Sequence, residues 1–247
     1  MNGPRIPGFP GGTAVSHLRV YDWPAADGLA GGSPHLHTAS AEGYVVLRGE
    51  GFLETLSGAG FQRTPLRPGS LLWFTPGTVH RLVNDSGDLE ILVVMQNAGL
   101  PEAGDAVLTY PGRVLADPDA YRRATVLPQA VTSAERAARE RRDLAVQGYL
   151  ELRERVESEG PGAMRGLYRA ATELVRERAA GWHHHVERGA VHQARTTRSH
   201  LEALGRGDGT HLEESAVYGA DVPSGPLRNG MCGHLRVWDL DGAARID

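Results

Sequence analysis

Two short stretches constrain the fold of this chain more than any other feature. The first reads His35-Leu36-His37, then Glu42 and Gly49; the second reads Gly69, Thr75-Pro76-Gly77, His80 and Asn84. Side chains alternate across a strand, so His35 and His37, two residues apart, leave the same face. A small turn at Ala39 to Ala41 brings Glu42 to that side. The run Tyr44-Val45-Val46-Leu47 is aromatic and β-branched, a strand composition, and Gly49 to Gly51 bounds it. Thr75-Pro76-Gly77 is a tight-turn signature, after which an adjacent strand delivers His80. Three imidazoles and one carboxylate then meet, which is the ligand set of a mononuclear metal site.

The remaining pattern divides the chain. His17 to Tyr21, Phe52 to Leu56, Ser70 to Phe74, Arg81 to Val83 and Glu90 to Gln96 are short β-type runs separated by Gly, Pro, Asn and Asp. That cadence belongs to an antiparallel sandwich or barrel, expected over residues 1–128. After Pro128 the period changes. Thr132-Ser133-Ala134-Glu135 reads as a capping box, and Ala145, Tyr149, Leu152 and Val156 make a helical stripe ending near Gly160. A second helix is expected from Pro161 with Met164, Leu167, Ala171, Leu174 and Val175 on its apolar face, and a weaker third one carries Val191, Ala194, Leu201 and Leu204. Residues 133–205 are thus expected to form a helical hairpin or three-helix unit, followed by a C-terminal segment, 216–247. In that segment Gly233-His234-Leu235-Arg236-Val237-Trp238-Asp239 nearly repeats Ser16-His17-Leu18-Arg19-Val20-Tyr21-Asp22. The simplest arrangement returns a strand near 233–240 to the barrel beside the N-terminal strand.

Composition excludes several chemistries. The net charge of −4 gives no general attraction to nucleic acid or anionic membrane, and no segment is apolar enough to span a bilayer. Within 133–204, thirteen arginines face eleven acids, which does not make the cationic footprint of a DNA-binding module. Cys232 is the only cysteine, so any metal is held by nitrogen and oxygen. The 26 basic residues are all arginine, which removes Schiff-base and P-loop lysine chemistry. The first ten residues lack an apolar stretch and are broken by prolines, so a cytoplasmic protein is expected. His183-His184-His185, His192 and His200 do not make a second ligand set, because successive helical residues diverge by ~100°; solvated helix-end histidines are expected.

The two stretches resemble the paired motifs of the cupin superfamily. Every ligand position is present, and two turn positions depart: Leu29 stands where a glycine is expected before His35, and the second motif's turn is Thr75-Pro76-Gly77. The resemblance covers roughly residues 15–110. It implies a mainly β fold, a cupin double-stranded β-helix (jelly-roll) barrel, here with the helical unit appended. It also implies one divalent ion (Fe, Mn, Ni, Cu or Zn) on His35, His37, Glu42 and His80, with Glu42 available as a catalytic base. Tyr44, which shares the strand parity of Glu42, and Gln96 are candidates for contact with a small-molecule substrate. Asn84 is expected to hold backbone, and Met95 to fill the core. The expected function is that of a dioxygenase acting on an enol or hydroxy-carbonyl compound. Alternatives are a redox-neutral isomerase, epimerase or lyase, and a non-catalytic binding protein. A homodimer is expected, with the helices acting as a lid or a dimer surface.

Overall fold

A computed structural model describes residues 8–128, 131–221, 224, 227–240 and 242–246. The N-terminal stretch considered above as a possible leader lies, over residues 1–7, outside them. The strands are β1 (Ala14–Val20), β2 (His35–His37), β3 (Glu42–Arg48), β4 (Gly51–Ser57), β5 (Gly60–Leu66), β6 (Leu71–Phe74), β7 (Val79–Asn84), β8 (Glu90–Met95) and β9 (Ala106–Leu108). Near the C-terminus follow β10 (Tyr218–Gly219), β11 (Arg228–Asn229), β12 (Gly233–Val237) and β13 (Ala244–Arg245).

Alternation decides how these strands assemble. In β3 and β8 every second residue is buried, Glu42, Tyr44 and Val46 in one and Ile91, Val93 and Met95 in the other. That is the period of a strand with one face in a core. One sheet has the order β11-β12-β1-β8-β3-β6 and the other β5-β4-β7-β2-β9, with β10 and β13 paired separately. Leu18, Val46, Leu53, Leu82, Ile91 and Val93 fill the space between the two large sheets. The result is the jelly-roll barrel that the motifs imply. All six residues of β7 are buried, because one face looks into the barrel and the other lies under a helix.

The C-terminal strand does return to the barrel. β12 pairs antiparallel with β1, placing Leu235 opposite Leu18 and Gly233 opposite Val20. The near-repeat therefore pairs with itself: His17 faces Arg236, and Arg19 faces His234.

The helices are α1 (Gly112–Leu115), α2 (Pro118–Thr125), α3 (Val131–Glu159), α4 (Arg165–Ala179), α5 (His183–Val186) and α6 (His192–Gly205). The stripe of α3 behaves as its spacing demands: Ala145, Tyr149, Leu152 and Val156 are buried, together with Leu167, Ala171 and Val175 of α4. They pack on Leu36, Leu56, Val79 and Val107 from the outer side of the second sheet. α3 and α4 thus cover a barrel wall. Among the described residues no helix is long and apolar enough to cross a membrane.

Four local expectations need correction. α3 already runs from Val131, so the Thr132–Glu135 box falls inside its first turns. The first 128 residues are not all β, since α1 and α2 lie within them. α2 is signalled by Asp117, whose carboxylate accepts the N–H groups of Asp119 and Ala120, with Pro118 in the first turn. β5 was hidden because its middle, Gln62 to Pro65, is exposed and does not alternate. Finally, the stripe of the third helix is not buried: Leu201 is 64% exposed and Leu204 48%.

Candidate metal centre

The site is assembled by register. β2 pairs with β7 so that His35 lies opposite His80, joining two motifs far apart in the chain. Glu42 comes from the facing sheet, where β3 places it between Phe74 and Met95. The ligands therefore stand on three strands in two sheets and not on two adjacent strands, because the turn after His37 carries the chain across the barrel.

The turns that deliver them explain both departures from the family pattern. Before β2 two glycines have positive φ, Gly28 at +77° and Gly31 at +152°, leaving Leu29 in the ordinary region. In Thr75-Pro76-Gly77-Thr78, the Thr78 N–H donates to the Thr75 carbonyl at 3.2 Å and Gly77 has φ +85°. Proline second and glycine third is the type II arrangement, which an L side chain at the third position would strain. The Gly77 N–H also donates to the His37 carbonyl at 2.8 Å, tying this turn to the first motif.

One ligand atom from each of His35, His37, Glu42 and His80 lies within 4.8 Å of the others, and all four side chains are buried. Glu42 Oε2 is 3.2 Å from His37 Nε2 and 3.1 Å from His80 Nε2. His80 Nε2 is 3.1 Å from His35 Nε2. The other ring nitrogens are already used. His35 Nδ1 donates to the Ser33 carbonyl at 2.9 Å and His80 Nδ1 to the Thr78 carbonyl at 3.2 Å. His37 Nδ1 donates to Asp105 Oδ1 at 2.7 Å. A carbonyl only accepts, so the protons of His35 and His80 sit on Nδ1 and their Nε2 atoms present lone pairs. Lone pairs thus face lone pairs and a carboxylate, and Glu42 Oε2 has no hydrogen-bond partner. A cation satisfies every one of these groups at once. The donor set of three nitrogens and one oxygen fits a first-row divalent ion.

The electrostatics follow from this crowding. Burial, reinforced by the positive charge that His80 and His37 would carry, holds His35 well below the usual histidine range. Burial alone would lower His37 as well, but Asp105 and Glu42 outweigh it and push His37 up to about 10. Burial raises Glu42 on its own, yet the imidazoles around it hold its carboxyl well below the usual range. Asp105, fully buried, is kept ionised by His37 and by the Ser40 N–H, which donates to Oδ2 at 2.9 Å.

Asp105 had no signal in the sequence. It stands 68 residues beyond His37 and reaches it only because β9 pairs with β2, with Ala106 opposite His37. Cys232 is a second surprise: its thiol lies 4.0 Å from His35 Nδ1, carried there by the returning C-terminal segment. Burial and the Glu42 charge push that thiol up, so it is not a thiolate ligand.

The other candidates separate cleanly. Tyr44 faces inward and is fully buried. Gln96 does not join the ligands: it is exposed, and its side-chain oxygen accepts the Ala41 N–H at 3.1 Å. It follows the inward-facing Met95, so strand alternation turns it away. Met95 fills the core. Asn84 holds backbone, donating to the Val20 carbonyl at 3.0 Å and accepting the Leu89 N–H at 3.1 Å. His183 and His184 are exposed at the helix end, and among the described residues no second group of three or more ligating side chains comes together.

No curated protein matches the chain. Similar solved structures include an uncharacterised protein with a double-stranded β-helix domain from Klebsiella pneumoniae, 21% identical, over 34% of this chain and 64% of that one, TM-score 0.26. Another is WlaRA, a TDP-fucose-3,4-ketoisomerase from Campylobacter jejuni, 16% identical over 37% and 64%, TM-score 0.31. A third is Pac13, a nucleoside dehydratase from Streptomyces, 17% identical over 42% and 71%, TM-score 0.30. The chain spans less than two thirds of the length of the first two. Residues 26–95, which carry all four ligands, match the family model of the cupin domain. That match, together with the jelly-roll topology, marks residues 26–95 as a cupin domain.

Proposed function

We propose that this chain is a metal-dependent enzyme of small-molecule metabolism, a dioxygenase acting on an enol or hydroxy-carbonyl compound held at the centre described above. The observation that carries the reading is the convergence of four buried ligand atoms in which the Nε2 lone pairs of His35 and His80 face one another and Glu42. Leaving such groups unpaired in a barrel interior is costly. A bound first-row ion supplies Lewis acidity and, for a redox-active metal, a meeting point for substrate and dioxygen. His35, His37 and His80 would hold it, and Asp105, accepting from His37 Nδ1, fixes the His37 ring. Glu42 is the group able to accept a proton from the substrate, and the apolar barrel walls exclude water.

A redox-neutral isomerase, epimerase or lyase is the second reading. It is favoured by the position of Glu42, a buried carboxylate within the ligand cluster, beside any carbonyl held at the centre. Dioxygen uptake by the metal-loaded protein with a panel of enols and hydroxy-carbonyl compounds decides between them. Uptake lost in Glu42→Gln supports the dioxygenase, and product without uptake supports the isomerase. Metal bound with no turnover overturns both in favour of a binding protein. A small-molecule substrate and a homodimeric state belong to the same proposal, and sedimentation equilibrium tests the second.

A further inference from the structure

Tyr44 is fully buried, and its hydroxyl has no hydrogen-bond partner. A phenylalanine would fill the same space without leaving a buried hydroxyl unpaired. The ring cannot turn away to find a partner. Phe74 packs edge-on against it at 5.4 Å, and the His80 ring lies 6.4 Å off. Tyr44 follows Glu42 by two on β3, so both point into the barrel from one strand. The nearby acceptor, Glu42 Oε2, belongs to the ligand set. The hydroxyl is therefore a buried donor beside the centre, and the protein acceptor near it, Glu42, is one of the ligand set.

The charges around the cavity narrow what that recipient is. Three arginines are buried near the barrel, and each spends terminal nitrogens elsewhere, although Nε of Arg81 and of Arg141 finds no partner. Arg81 is paired with Asp27. Arg142 donates to the carbonyls of Trp23, Pro24 and Gly31. Arg141 donates to the Gly230 carbonyl. The walls beside Tyr44 are Leu18, Val46, Leu82, Val93 and Met95.

We propose that the Tyr44 hydroxyl donates a hydrogen bond to an oxygen of a small hydroxy-carbonyl or enol ligand without phosphate, bound at the His35–His37–Glu42–His80 centre. This rests on the metal-site reading. It makes Tyr44 a ligand-positioning residue, and an oxygen chelator with an apolar body the class of molecule that the barrel selects.

The test uses full-length protein loaded with Co(II), whose visible bands report the coordination sphere, titrated with acetohydroxamate, a small oxygen chelator. Wild type binds the probe with a change in the bands, and inorganic phosphate at the same concentrations leaves them unchanged. Tyr44→Phe retains full Co(II) content and a Tm no lower than wild type, but binds acetohydroxamate five- to tenfold more weakly, as loss of one hydrogen bond requires. Equal affinity in Tyr44→Phe overturns the role of Tyr44, and phosphate binding as well as acetohydroxamate overturns the ligand class. Failure to take up Co(II) refutes the metal site itself, and the inference falls with it. A second measurement needs no variant: in the Zn(II) form, the 13Cζ resonance of Tyr44 shifts on adding acetohydroxamate, and an unmoved resonance contradicts the proposal.

Discussion

His80 and Arg81 are neighbours on β7, and each anchors a buried polar cluster on its own side of the sheet. Outside the barrel, under α3, Arg81 pairs with Asp27 through both terminal nitrogens and lies 3.8 Å from Glu54. Glu54 in turn receives Tyr149 Oη–H at 3.2 Å and contacts Arg63 at 3.1 Å. Opposite charges meet there, and the protein supplies both partners. Inside the barrel, His80 meets His35, His37 and Glu42, where acceptors face acceptors. The outer cluster pairs cations with carboxylates that the chain itself supplies, although Arg81 Nε and Glu54 Oε1 find no hydrogen-bond partner; the inner one is left for a cation to complete. Arg81 and Glu54 are as buried as the inner four, so it is the meeting of opposite charges that separates a structural cluster from a candidate site.

Substitutions on the two faces should therefore fail in different currencies. Arg81→Ala leaves Asp27 without its cation and the buried Glu54 with Arg63 alone, and should lower unfolding free energy in urea by about 3–5 kcal/mol. Metal content of the folded fraction should stay at wild-type level; a matching loss of metal would erase the distinction. His80→Ala should do the reverse, weakening metal affinity by more than ~100-fold, beyond what loss of a supporting group costs, while the protein stays folded by circular dichroism. His35→Ala should behave likewise. Asp105→Asn, which removes the charge steering His37, should cost ~10–100-fold in metal affinity, measured against a chromophoric chelator.

The smallest effect concerns pH. Burial raises Asp27 on its own, but the bonds from Arg81 outweigh it and hold the carboxyl below its usual value of 3.8. A depressed acid adds stability that is present above its unfolded pKa and disappears as pH falls through the folded one. Asp27→Asn should cost about 1 kcal/mol at neutral pH, and the gap from wild type should close as pH falls below 3.8. A gap constant with pH would show that the carboxylate charge is not what holds Arg81.

The parts of this architecture that the sequence disclosed are those set by short-range rules. His35 and His37 share a face by alternation, Gly77 supplies a turn, and the 145–156 stripe announces a helix face. The pairing of the 16–20 and 233–237 repeats was also legible, since like segments sit in like surroundings. What stayed hidden depends on long-range register. Asp105 reaches His37 only through the pairing of β2 with β9, and Cys232 reaches His35 only because β12 closes on β1. β5 escaped notice because an exposed edge strand has no apolar period, and Leu201 suggested packing that α6 does not make. Leu29 needs no left-handed backbone, because the positive-φ positions fall on Gly28 and Gly31 to either side of it.

Anomalous diffraction from a crystal of metal-loaded protein is the most direct examination of the central claim. The account predicts one strong peak inside the barrel, at ~2.0–2.2 Å from Nε2 of His35, His37 and His80 and from a Glu42 oxygen. A barrel without such a peak, or a peak only at the exposed histidines of α5, would contradict it.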